Sequence, residues 1–107
     1  MASFSLVPDP TFKAKVEIPI PGKKAQKIEF TFKWRDSDDF KAFMENLGNH
    51  EHDTDAVMEF ATGWELADAF NRENVDKLVK NYLGSARALI TAYIQENAGA
   101  RLGNSAS

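Results

Sequence analysis

The 107-residue chain has no cysteine, which excludes disulfide frameworks, thiolate zinc sites and cysteine nucleophiles. It also lacks any apolar run of membrane-spanning length, because its 43% hydrophobic residues are interrupted by the 27% that are charged. A basic excess is missing too. Lys and Arg number 13 against 16 Asp and Glu, a net charge of -3, whereas a duplex-DNA binder needs a cationic face to displace counterions from phosphates. The opening MASFSLVPDP has neither the basic start nor the long apolar stretch of a secretory signal, so a cytoplasmic place is expected. There is no Gly-rich phosphate loop, no Gly-x-Ser-x-Gly turn and no internal repeat. What the chain does have is aromatic material for one core, with eight Phe, two Trp and two Tyr.

From Thr11 to Ile20 the apolar residues Phe12, Ala14, Val16, Ile18 and Ile20 alternate with Lys13, Lys15, Glu17 and Pro19, the period of a half-buried strand. Ile28, Phe30, Phe32 and Trp34 then alternate with Glu29, Thr31 and Lys33, and the intervening PGKKAQ carries a Pro-Gly pair suited to a turn. The two runs read as a β-hairpin. Pro19 cannot donate to a ladder and so belongs on an outer edge or near the turn. A lone hairpin is marginal, so helices or another chain must cover its apolar face. Trp34 is expected in that core, where its replacement by Ala would cost roughly 3–5 kcal/mol.

After Trp34 the period lengthens. Phe40, Phe43, Met44 and Leu47 share a helical face in RDSDDFKAFMENLG, with Asp36 or Ser37 as cap and Gly48 as a left-handed stop. The acidic cluster Asp36, Asp38 and Asp39 suits a helix N-terminus. A second helix, capped by Asp53 or Thr54, is predicted through Val57, Phe60, Ala61 and Trp64, bending or stopping near Gly63. Asn71 is placed to cap a third helix carrying Val75, Leu78, Val79 and Tyr82. Gly84 and Ser85 close it and start a fourth with Ala86, Leu89, Ile90, Tyr93 and Ile94. The expected fold is α+β: an N-terminal hairpin at about 11–35 packed with about four short helices at about 37–97, the C-terminal two-thirds being mainly helical. One domain is expected over residues 1–98, followed by a flexible tail at 99–107 of small and polar residues.

Candidate sites are few. His50 and His52 flank Glu51 beside Asp53, but successive loop residues seldom converge on one ion and no third imidazole exists, so a metal site is not expected. The carboxylates cluster at predicted helix starts, where capping accounts for them without chemistry. No catalytic residue or cofactor is assigned. Phe30, Phe32 and Trp34, with Lys27, Lys33 and Arg35 nearby, could stack single-stranded nucleic acid; packing in a core explains the same alternation. Trp64 is an aromatic anchor at a helix junction or a partner contact.

The chain resembles the tail assembly chaperones of long-tailed bacteriophages. The likeness runs through FSLVPDPTFKAKVEIPIPG, IEFTFKWR and above all GWELADAFNRENVDKLVKNYLGSARALITAY, with Gly63-Trp64, Phe70-Asn71, Glu73-Asn74, Leu78, Tyr82, Ala86 and Tyr93 in the family's order. Leu83 stands where members often have Pro. The resemblance implies a non-enzymatic protein of the host bacterial cytoplasm. It would bind and solubilise the tape measure protein, help recruit the major tail protein, and be absent from the finished virion. Many members also exist in a longer, frameshifted form. The resemblance supplies no contact positions, so the partner-binding candidates, Phe30, Phe32, Trp34, Trp64, Phe70, Tyr82 and Tyr93, rest on physical inference from their aromatic character and placement, and the hairpin's unpaired edges invite self-association. The competing reading is a small nucleic-acid-binding regulator that uses the aromatic hairpin.

Overall fold

A computed structural model describes residues 4–99. Strands β1 (Thr11–Ile20) and β2 (Lys23–Lys33) form the expected hairpin, joined by the two-residue turn Pro21-Gly22. The turn is tighter than the six residues of PGKKAQ suggested. Proline sets φ at its first position and Gly22 takes a φ of 74° at its second, a combination that side-chain-bearing residues resist. The register shifts between Ile18 and Ile20, around Pro19, whose missing N–H is tolerated on an edge strand close to the turn.

Helix α1 (Ser37–Asn46) is capped by Asp36, whose Oδ1 accepts from the Asp39 N–H at 2.8 Å. It runs on into a short 3-10 turn at Leu47–Asn49, so Gly48 is not a left-handed stop. Helix α2 (Asp53–Phe60) starts after His52, which makes no capping bond, and not after the expected Asp53 or Thr54. Thr54 is instead buried, and its hydroxyl donates across to Asp76 Oδ1 at 2.8 Å.

The second helix does not reach Trp64. It ends at Phe60, Ala61 is already extended (φ -98°, ψ 139°), and the chain continues as strand β3 (Ala61–Trp64). This strand pairs antiparallel with β2, Phe30 opposite Trp64, to give a three-stranded sheet in the order β1-β2-β3. The spacing of Val57, Phe60, Ala61 and Trp64 suits a helix, but pairing with β2 satisfies the backbone of 61–64 and overrides it. The fold is α+β as expected, with one strand more.

Asn71 caps helix α3 (Arg72–Asn81) through a 2.8 Å bond from the Asn74 N–H. Helix α4 (Ser85–Ala98) ends on Gly99 at φ 73°. Gly84, between α3 and α4, lies so close to β1 that an added Cβ would sit 3.1 Å from Pro19 Cγ. Of the expected tail at 99–107, all but Gly99 lies outside the described residues.

The helices cover one face of the sheet. Val16 and Ile18 of β1, Phe30 and Phe32 of β2, Phe43 of α1, Val57 and Phe60 of α2, Val75 of α3, and Leu89 and Tyr93 of α4 form the core. The opposite face carries Lys13, Lys15, Glu17, Lys27 and Lys33, all exposed. Burying each large apolar side chain contributes on the order of 1.5–3 kcal/mol, which is why the alternation of the hairpin fixes which face meets the helices.

Candidate functional site

The aromatic residues divide into two groups. One is sealed inside the molecule around Tyr93, which is 0% exposed. Its ring stacks on Phe60 at 4.7 Å and meets Phe43 and Phe32 edge-on at 5.3 and 5.5 Å. Arg35 closes this group. Its Nη1 donates to the Tyr93 hydroxyl at 3.0 Å, its Nη2 donates to the Glu59 carbonyl at 2.9 Å, and its Cζ lies 4.7 Å from the Phe43 ring centre. Asn97 holds the Arg35 backbone on both sides, accepting from its N–H and donating to its carbonyl, each at 3.0 Å. Burial pushes the Tyr93 hydroxyl above its ordinary pKa, and the Arg35 bond only partly opposes this.

The second group opens to the surface. Trp64, at the end of β3, meets Phe30 edge-on at 5.9 Å and Phe70 edge-on at 5.1 Å. Its indole N–H donates to the Asp68 carbonyl at 2.7 Å, folding the loop after β3 around the ring. Pairing also runs on past the strand, since the Glu65 N–H donates to the Glu29 carbonyl and the Glu29 N–H donates to Glu65 Oε2. That loop and α3 enclose a cleft of about 220 Å³, with Trp64, Leu66, Leu78 and Tyr82 as its apolar lining and Asp68 and Lys77 among its polar groups. Leu83, next in the chain to Tyr82, is 85% exposed. The volume falls below the roughly 300–1,000 Å³ of small-molecule sites. It suits one or two anchoring side chains of a protein partner.

Of the seven residues singled out for partner contact, Phe30, Phe32 and Tyr93 are 0% exposed and present no surface. They fall on the inward face, where strand alternation and the α4 stripe put them. With two of its three rings buried, the hairpin also provides no stacking platform for nucleic acid. Trp34 is half-buried but outside the core cluster, at the far end from the cleft, between a depression shared with Phe12 and Asn97 and another shared with Phe43 and Asp39. Trp64, Phe70 and Tyr82 are half-buried; Trp64 and Tyr82 line the cleft, and Phe70 packs edge-on against Trp64. Sequence reasoning misses that Leu66 lines the cleft and that Leu83 is exposed beside it. Their only signal is an apolar residue in a stretch without helical or strand period. Phe4, Leu6 and Val7, 91, 90 and 71% exposed, form a further apolar segment ahead of β1.

The two histidines stay apart from this site. His52 precedes α2 and lies 3.3 Å from the exposed Glu51 carboxylate, and the buried Nε2 of His50 has no hydrogen-bond partner among the described residues.

A family model described as phage tail assembly chaperone matches residues 1–104. The chain belongs to this family. No curated protein and no solved structure matches it. Members are non-catalytic helpers of tail assembly, so tail proteins are the class of partner that the chaperone's surface has to accommodate. Among the described residues no helix is long and apolar enough to cross a membrane.

Proposed function

We propose that the chaperone binds apolar helical segments of the tape measure protein, keeps them soluble in the host cytoplasm, and brings them to the major tail protein without entering the finished virion. The observation that carries this reading is the cleft between the Trp64 loop and α3, where Trp64, Leu66, Leu78 and Tyr82 converge beside the exposed Leu83. An amphipathic helix buries its i, i+3 and i+4 side chains in such a groove, and a rigid indole held by the Asp68 carbonyl needs no ordering when the partner arrives. The same apolar surface would be a liability on a protein without a client.

Co-expression with the tape measure protein tests this. The wild-type chaperone should hold the client in the soluble fraction. Leu66→Asp and Leu83→Asp should each lower that fraction, with binding weakened roughly ten-fold or more when an anchor is lost. Leu83 is exposed, so its variant should unfold at the wild-type temperature. Undiminished client binding by both variants would remove the cleft from the mechanism.

A further inference from the structure

The outer edge of β1 is the longer of the two free strand edges among the described residues. The Trp34 N–H donates to the Pro10 carbonyl at 2.9 Å, which makes that pair a hydrogen-bonded one. In an antiparallel ladder such pairs alternate, so Phe12, Ala14, Val16 and Ile18 turn their N–H and C=O groups to β2. Thr11, Lys13, Lys15 and Glu17 turn theirs outward, where no strand or loop among the described residues meets them. Pro19 has the same parity, so its missing N–H costs the hairpin nothing.

Edge strands are commonly guarded by charge, and lysines at 13 and 15 fit that role. The sign then reverses at Glu17. Within the hairpin Lys15 lies opposite Glu29 and Glu17 opposite Lys27. Each charged row therefore crosses β2 and β1 with alternating sign and ends at the free edge on an unmatched residue.

We propose that two copies of the chaperone join through their β1 edges, antiparallel, with Val16 on the two-fold axis, to form one continuous six-stranded sheet. In this register Lys15 of each copy faces Glu17 of the other, and both charged rows continue with alternating sign across four strands. Displacing the axis by one residue sets like charges opposite each other. An axis at residue 15 opposes the two Lys15 side chains while setting each Lys13 against the other copy's Glu17, and one at 17 opposes the two Glu17 side chains with no attractive pair beside them. Opposite charges across a strand pair stabilise and like charges destabilise, so the edge favours the register at Val16, which has two attractive pairs and no like charges opposed. The backbone agrees, because residues 15 and 17 both point their hydrogen-bonding groups outward. Beside the edge, a groove of about 510 Å³ is lined on the α4 side by Arg87, Ala88, Thr91, Ala92, Gln95 and Glu96. This association is independent of client binding at the cleft, which lies beyond the other edge of the sheet.

Sedimentation equilibrium of the full chain, alone and as charge variants, tests the proposal. Wild type should dimerise. K15E and E17K should each be monomeric at the same concentration, with the dimer constant weakened at least about ten-fold, since both symmetry-related pairs become repulsive. Both positions are exposed on the polar face, and circular dichroism should show each variant folded. An equal mixture of K15E and E17K should recover the dimer, because every 15-to-17 contact between unlike variants is again attractive. A monomeric wild type, dimers that persist in either variant alone, or a mixture that stays monomeric while both variants are folded would each overturn it. The first of these outcomes would leave the edge for a strand from another protein.

Discussion

The two aromatic groups have similar rings and opposite fates. Around Tyr93, helices α1 and α2 and the sheet leave no gap, and the one polar atom that burial brings inside, the phenol oxygen, is met by Arg35. Around Trp64, one side of the ring rests on Phe30 and Phe70, while the loop that its N–H holds in place opens onto solvent. The difference comes from the element that carries each ring. Tyr93 sits within a 14-residue helix laid across the sheet, whereas Trp64 ends a four-residue strand and leads into a loop. One group can therefore supply stability and the other surface.

The largest effect should come from emptying the sealed group. Tyr93→Ala removes a ring in contact with Phe60, Phe43 and Phe32 and should destabilise the chaperone by roughly 3–5 kcal/mol in chemical denaturation. An effect below about 1 kcal/mol would show that this end is as open as the other.

Tyr93→Phe separates packing from polarity. It keeps the ring and removes the oxygen that receives Arg35, leaving a partly buried guanidinium short of an acceptor, and should cost about 1–3 kcal/mol. Client retention by this variant should match wild type when tested below its unfolding midpoint, since the cleft is untouched.

Trp34→Ala probes a ring that belongs to neither group. Alternation with Phe30 and Phe32 points Trp34 to the core, but β2 ends at Lys33 and the ring lies outside the buried cluster. A half-buried ring of this kind should cost about 1–2 kcal/mol when removed, well under the figure for a core aromatic. A loss as large as that of Tyr93→Ala would mean that the rim depressions on either side of Trp34 are closed in solution.

The same residues show what a sequence carries. The hairpin, the Asn71 cap and the helical faces of Phe43 and Tyr93 are legible because each depends on neighbours within a few positions. The direction of a side chain follows from period, but its depth does not, which is why alternation misplaces Trp34 and not Phe32. Strand β3 is hidden because its apolar residues also satisfy a helical spacing, and only pairing with β2, about 30 residues away, decides between the two. Trp64 and Tyr82 are both visible as candidates. Their meeting with Leu66 in one cleft is a tertiary fact, since the loop closes through a side-chain bond to the Asp68 carbonyl.

The smallest expected effect separates the two regions by pH. On the α3 side, Asp76 lies below its ordinary pKa of 3.8, chiefly because its carboxylate accepts from the Thr54 hydroxyl and also from Lys80, whose Nζ is 3.0 Å away. A carboxylate held below its unfolded value stabilises the native state above that value, and the contribution disappears as pH falls through the folded pKa. Tyr93 behaves oppositely. Its hydroxyl is raised above 10.0 by burial, so the unfolded chain loses the proton first and stability falls as pH rises past that point. Denaturation midpoints measured across pH should thus decline at the acid limb through the α2 to α3 junction and at the alkaline limb through the sealed group. Asp76→Asn should flatten only the acid limb, by a small amount because the carboxylate is part-exposed, and Tyr93→Phe only the alkaline one. If both variants flattened the same limb, the two regions would not be titrating separately, and the contrast between a sealed end and an open one would fail.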